Sequence, residues 1–75
     1  MDKALVLITL KLEYSTNLLE NLKEIPGVID ADLIYGPYDA YTIVETDTSE
    51  ELRDAVLKMR EIYGVDKTLT CSVLP

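Results

Sequence analysis

The chain has 75 residues, with 14 acidic against 7 basic side chains, a formal net charge of −7, one cysteine and no histidine. That length suits one domain, expected over residues 1–75, which buries only about 60% of the surface its unfolded form exposes, so domains of this size lean on disulfides, metals or association. A lone Cys71 excludes an internal disulfide and argues against a Cys/His metal site, and the lack of any basic run disfavours nucleic acid and anionic membranes, so association is the support left.

Residues 3–12 read as the first strand, a β-rich run bounded by polar residues. Ala4, Val6, Ile8, Leu10 and Leu12 alternate with Leu5, Leu7 and Thr9, so both faces are largely apolar, the pattern of a strand covered on both sides. The segment lacks the basic flank and small-residue cleavage site of a signal peptide, and nothing in the chain has the length of a transmembrane helix, so a cytoplasmic protein is expected. Ser15, Thr16 and Asn17 are good helix caps, and Asn17 precedes Glu20 by three positions, close to a capping box. Leu18, Leu19, Leu22 and Ile25 then fall on one helical face, and Pro26-Gly27 ends the first helix.

Residues 28–35 read as the second strand, with Asp30 and Asp32 alternating with Ile29, Ala31 and Leu33. Gly36-Pro37-Tyr38-Asp39 turns the chain into a third strand that starts at residue 39 or 40 and ends at 46. Thr48 with Glu51 forms a clear capping box for a second helix, whose apolar stripe is Leu52, Ala55, Val56, Met59 and Ile62 or Tyr63. Gly64 stops it. Residues 68–74 read as the fourth strand, with Leu69, Cys71 and Val73 on one face and Thr68, Thr70 and Ser72 on the other.

Lys23-Glu24-Ile25-Pro26-Gly27-Val28 and Arg60-Glu61-Ile62-Tyr63-Gly64-Val65 are alike at an offset of 37 residues, so the chain is a duplicated strand-helix-strand unit hinged at Gly36-Pro37. The fold class expected is α+β: a ferredoxin-like βαββαβ arrangement, one four-stranded antiparallel sheet with two helices on one face. The second face would then stand open, and each large side chain of the first strand left there forgoes about 1.5–3 kcal/mol. A second copy, related by a two-fold axis, is the simplest cover.

No catalytic constellation is visible: no nucleophile elbow, P-loop or dinucleotide fingerprint, and no histidine to activate Cys71, which reads as a small buried hydrophobe. The carboxylates Asp30 with Asp32, and Asp47 with Glu50 and Glu51, lack any EF-hand spacing and read as solvated surface or caps. The five tyrosines stand out beside the absence of Phe and Trp, and three of them, Tyr35, Tyr38 and Tyr41, bracket the central turn, with Tyr38 expected to be the most exposed. Gly36 lets main-chain N–H groups approach a small anion, Asp39 offers an acceptor for an ammonium group, and the hydroxyls of Thr68, Thr70 and Ser72 lie on one strand face. Such a set suits a zwitterionic amino acid, and the same four residues also make an ordinary turn.

At these residues the chain resembles the C-terminal effector-binding domain of the Lrp/AsnC regulators, the RAM domain, over essentially its whole length. The resemblance rests on Leu22-Lys23-Glu24-Ile25-Pro26-Gly27-Val28, on Gly36-Pro37-Tyr38-Asp39, on residues 62–70 and on the terminal Val73-Leu74. It implies a dimer built through the sheet, dimers often joined into octameric rings, and an amino-acid effector bound between dimers at Gly36, Pro37, Tyr38, Asp39, Thr68 and Thr70, with no cofactor. Family members carry an N-terminal helix-turn-helix domain, and this chain begins at its own first strand, so a stand-alone form is expected, with full-length regulators as further partners. Tyr35 stands where Thr is common, which leaves the ligand's identity open. Against this non-enzymatic binding module stand a purely structural oligomerisation subunit and, weakest for want of a histidine, a small dimeric α+β barrel enzyme.

Overall fold

Alternation along the first strand decides the layering. In the structure, a computed structural model that describes residues 1–74, the elements are β1 (Asp2–Leu10), α1 (Leu18–Lys23), β2 (Val28–Leu33), β3 (Ala40–Thr46), α2 (Ser49–Arg60) and β4 (Val65–Ser72). They form the expected ferredoxin-like βαββαβ fold, an antiparallel sheet in the order β2-β3-β1-β4. Ala4, Val6 and Ile8 of β1 and Ala40, Thr42 and Val44 of β3 share one face and are fully buried under the helices. Val6, Ile8, Ala40 and Val44 form one core with Leu18 and Leu22 of α1 and with Ala55, Val56 and Met59 of α2. Thr42 is the one buried polar residue among those described, and its hydroxyl donates to Met59 Sδ at 3.5 Å.

The helix starts differ. At α2 the capping box forms: the Thr48 hydroxyl accepts the Glu51 N–H at 3.2 Å, and Glu51 Oε1 accepts the Thr48 N–H at 3.1 Å. At α1 the expected Asn17 side-chain cap is absent. Ser15 serves instead, its Oγ accepting the Asn17 N–H and its carbonyl the Leu18 N–H, each at 3.1 Å. A helix of six residues has little stability of its own and is held by the packing of Leu18, Leu22 and Ile25.

Several strand limits also move, among them the end of β4, which falls at Ser72 rather than at residue 74. β1 ends at Leu10 rather than at residue 12, because the Lys11 N–H turns away to the Gly64 carbonyl at 2.8 Å. β2 ends at Leu33 rather than at residue 35, where the turn begins to leave β3. β4 begins at Val65 rather than at residue 68: a register shift at Thr9 and Leu10 lets Val65 pair with Leu10, and the Thr9 hydroxyl accepts the Lys67 N–H at 3.1 Å. Gly64, at φ +97°, leaves the second helix with its α-carbon turned towards Tyr14, so close that a Cβ would run into the tyrosine.

Register places Leu5, Leu7, Ile43, Leu69 and Cys71 together on the face without helices. Cys71 is therefore exposed, not buried as expected: it pairs with Leu5 on an outer strand, and nothing in one chain covers it. Asp30 and Asp32 edge the same face from β2, and the Tyr41 hydroxyl donates to Asp30 Oδ2 at 2.9 Å. Lys3 and Glu45 form an ion pair at 3.8 Å at its margin.

Candidate functional site

The central turn is anchored through one residue. The Asp39 N–H donates to the Ile8 carbonyl at 2.9 Å, its carbonyl accepts the Ile34 N–H at 3.0 Å, and its Oδ2 accepts the Leu10 N–H at 2.7 Å. The third bond has a local cause. β3 stops pairing with β1 at Ala40, so the Leu10 amide has no strand partner on that side, and the Asp39 carboxylate takes the place of a carbonyl. One oxygen of the expected ammonium acceptor is thus already engaged in holding the turn.

Gly36 sits at φ +131°, a conformation that side chains rarely adopt, with open space where a Cβ would stand. Pro37 carries no N–H, and the amides of Tyr35, Gly36 and Tyr38 find no acceptor among the described residues. Tyr38, expected to be the most exposed of the turn tyrosines, is half-buried, whereas Tyr35 is completely exposed, at 105%.

Beside this turn lies an open groove of about 500 Å³. Leu10, Lys11 and Leu12 form one wall and Leu33, Ile34 and Tyr35 the other, with Tyr14 and Asp39 closing it. Leu12 at 103% exposure and Tyr35 make an apolar rim facing solvent. Apart from Asp39, none of these residues was among the expected site residues. The available signal was Leu12 itself, a leucine set between Lys11 and Glu13 where the apolar run breaks.

Thr68 and Thr70 do not reach this groove. They lie on the helix-covered face, paired with Ile8 and Val6, so β1 separates them from the turn by about 10 Å, two strand spacings. The Thr68 hydroxyl accepts a hydrogen bond from Arg60 Nε at 3.1 Å. A groove of similar size at the other end of the sheet is ringed by Glu45, Asp47, Glu51 and Asp54 with Lys58, and Glu51 there is committed to its cap. Among the described residues no three carboxylate or thiol groups converge as a metal set would.

A family model for the Lrp/AsnC ligand binding domain matches residues 3–75. The chain belongs to that family. The Lrp/AsnC domain described here superposes on a crystallised protein from Thermus thermophilus, TTHA0845, with a TM-score of 0.88 and 30% identity, covering 100% of this chain and 95% of that one. It shares its fold with a feast or famine regulatory protein from M. tuberculosis in complex with L-methionine, with a TM-score of 0.82 and 21% identity, covering 100% of this chain and 51% of that one. Among curated proteins it is 38% identical over 71 residues to a homocitrate synthase of Sulfurisphaera tokodaii. That match takes in 91% of this chain and only 15% of the length of the synthase.

Proposed function

We propose that this Lrp/AsnC domain binds a small amino-acid effector beside Gly36-Pro37-Tyr38-Asp39 and self-associates through its open sheet face. It would modulate transcription regulation or amino-acid metabolism by association rather than by DNA contact, and has no catalytic role of its own. The observation that carries the reading is the groove and the turn beside it: turn amides with no acceptor among the described residues, suited to a carboxylate, the second Asp39 oxygen suited to an ammonium group, and an apolar rim at Leu12 and Tyr35 that a second surface would cover. Thr68 and Thr70, two strand spacings from the turn, stand outside this proposed effector site. The methionine complex of the mycobacterial relative supports an amino acid as ligand class, and the match within a homocitrate synthase supports a role in metabolism. Dimers, an octamer of four dimers, and full-length Lrp/AsnC regulators are the proposed partners, in the cytoplasm.

Calorimetric titration with the common amino acids, with sedimentation of the free and saturated protein, tests both halves. Heat from one or a few amino acids with a change in size is expected; silence from all of them defeats the effector reading. A Leu7→Lys variant, which puts a charge in the middle of the open face, is expected to sediment as a monomer, and wild-type behaviour would defeat the sheet interface.

One observation favours a second reading, an oligomerisation subunit without effector: the Asp39 carboxylate already serves Leu10. Under it, assembly size is the same in every amino acid.

A further inference from the structure

The chain has two arginines, Arg53 and Arg60, and both line one groove. Seven residues apart on α2, they share a helix face and stand about 10 Å apart along its axis. The groove has a volume of about 400 Å³ and runs between α2 and β4, with Leu52, Val56 and Leu57 as its floor and Thr70 on the strand side. Leu57 is 45% exposed, an apolar surface lying between the two guanidinium groups.

Neither arginine has a carboxylate partner among the described residues, although acidic residues outnumber basic ones two to one. The one ion pair found there is Lys3 with Glu45. Arg60 is also held in place: its Nε–H donates to the Thr68 hydroxyl at 3.1 Å, which leaves both terminal nitrogens of the fork free. A guanidinium fixed through Nε is preorganised for paired hydrogen bonds to a carboxylate.

We propose that this groove is an anion site for a linear aliphatic dicarboxylate, separate from the amino-acid groove. One carboxylate meets Arg60 and the Thr70 hydroxyl, the other meets Arg53, and the methylene chain lies over Val56 and Leu57. Two cationic ends separated by an apolar floor fit a ligand with the same division, and do not fit a compact polyanion. The net charge of −7 disfavours dianions over the rest of the surface.

The test is a titration of the whole chain at fixed ionic strength, followed by amide-proton–nitrogen correlation spectra. The probes are glutarate and adipate, with butyrate and inorganic sulfate as controls. Expected are shifts confined to the amides around Arg53, Leu57, Arg60 and Thr70, and dicarboxylate affinity about tenfold or more above butyrate, the worth of one charged hydrogen-bonded contact. Arg53→Gln and Arg60→Gln are each expected to remove that advantage with spectra otherwise native, since both positions are exposed. Thr68→Val, which keeps both charges and frees the Arg60 head, is expected to weaken glutarate more than butyrate. Equal affinity for glutarate and butyrate, sulfate matching the dicarboxylates, or indifference to both arginine substitutions overturns the proposal.

Discussion

The carboxylate of Asp39 closes a 2.7 Å hydrogen bond with the backbone N–H of Leu10, across 29 positions of the chain. It joins the central turn to the end of β1 and holds together the two walls of the groove. Asp39→Ala leaves that amide to solvent and is expected to destabilise the fold by about 0.5–1.5 kcal/mol. Asp39→Asn keeps an acceptor oxygen and is expected to retain most of the stability. Urea unfolding midpoints of the three proteins decide the matter; an alanine variant as stable as the parent would show that the bond contributes nothing.

Gly36 and Gly64 both hold left-handed backbone, for different reasons. Space is open around Gly36, so Gly36→Ala meets only the backbone penalty, about 1–2 kcal/mol. Gly64→Ala adds a collision with Tyr14 and is expected to cost clearly more, with Tyr14 and the segment after β1 displaced. Thermal melts of the pair should rank Gly64→Ala well below Gly36→Ala, and the reverse order would contradict the packing described for Tyr14.

The phenol of Tyr41 is held above its ordinary value of 10.0, first by its hydrogen bond to Asp30, then by partial desolvation and the negative charges of Asp30 and Asp32. A raised value in the folded state means that the contribution to stability is present below the range in which an unfolded tyrosine ionises, and is lost as pH rises through the folded value. In an alkaline absorbance titration one tyrosine is expected to ionise after its ordinary range, to disappear from the curve in Tyr41→Phe, and to ionise earlier in Asp30→Asn. A titration of Asp30→Asn that overlays the parent's would disprove the assignment.

Thr42 buries its hydroxyl completely against a thioether, a weak acceptor. Thr42→Val removes a poorly compensated polar group and keeps the branched shape. It is expected to leave stability unchanged or raise it by up to about 1 kcal/mol. A loss above that size in chemical denaturation would show that the contact with Met59 Sδ is stronger than its geometry suggests.

The fold was legible because its strongest signals are local. Thr48 with Glu51 marks the start of α2, Gly27 and Gly64 mark the passage from helix to strand in each copy of the repeated unit, and alternation at Ala4, Val6 and Ile8 marks the core face of β1. The errors arose where distant groups decide. Asn17 has the residue type of a cap, but Ser15 makes the bonds. The early start of β4 depends on the Thr9 hydroxyl reaching Lys67 across the sheet. Cys71 has the composition of a core residue, and its exposure follows from lying on an outer strand, which no local pattern records. At the site, Asp39 was legible because it lies in a turn marked by Gly36-Pro37, whereas Leu12 and Tyr35 come together only through the turn back from β1 and the end of β2.

Cys71, lying beside Leu5 on the open face, has a practical consequence. Each chain carries a single thiol, set within the surface through which copies are proposed to meet. Its alkylation rate therefore counts unoccupied faces: fast in dilute solution, slow once copies associate, and responsive to any ligand that shifts that balance. The protein can be asked about its own assembly by a stopwatch and a maleimide, without a tag, an antibody or a single substitution.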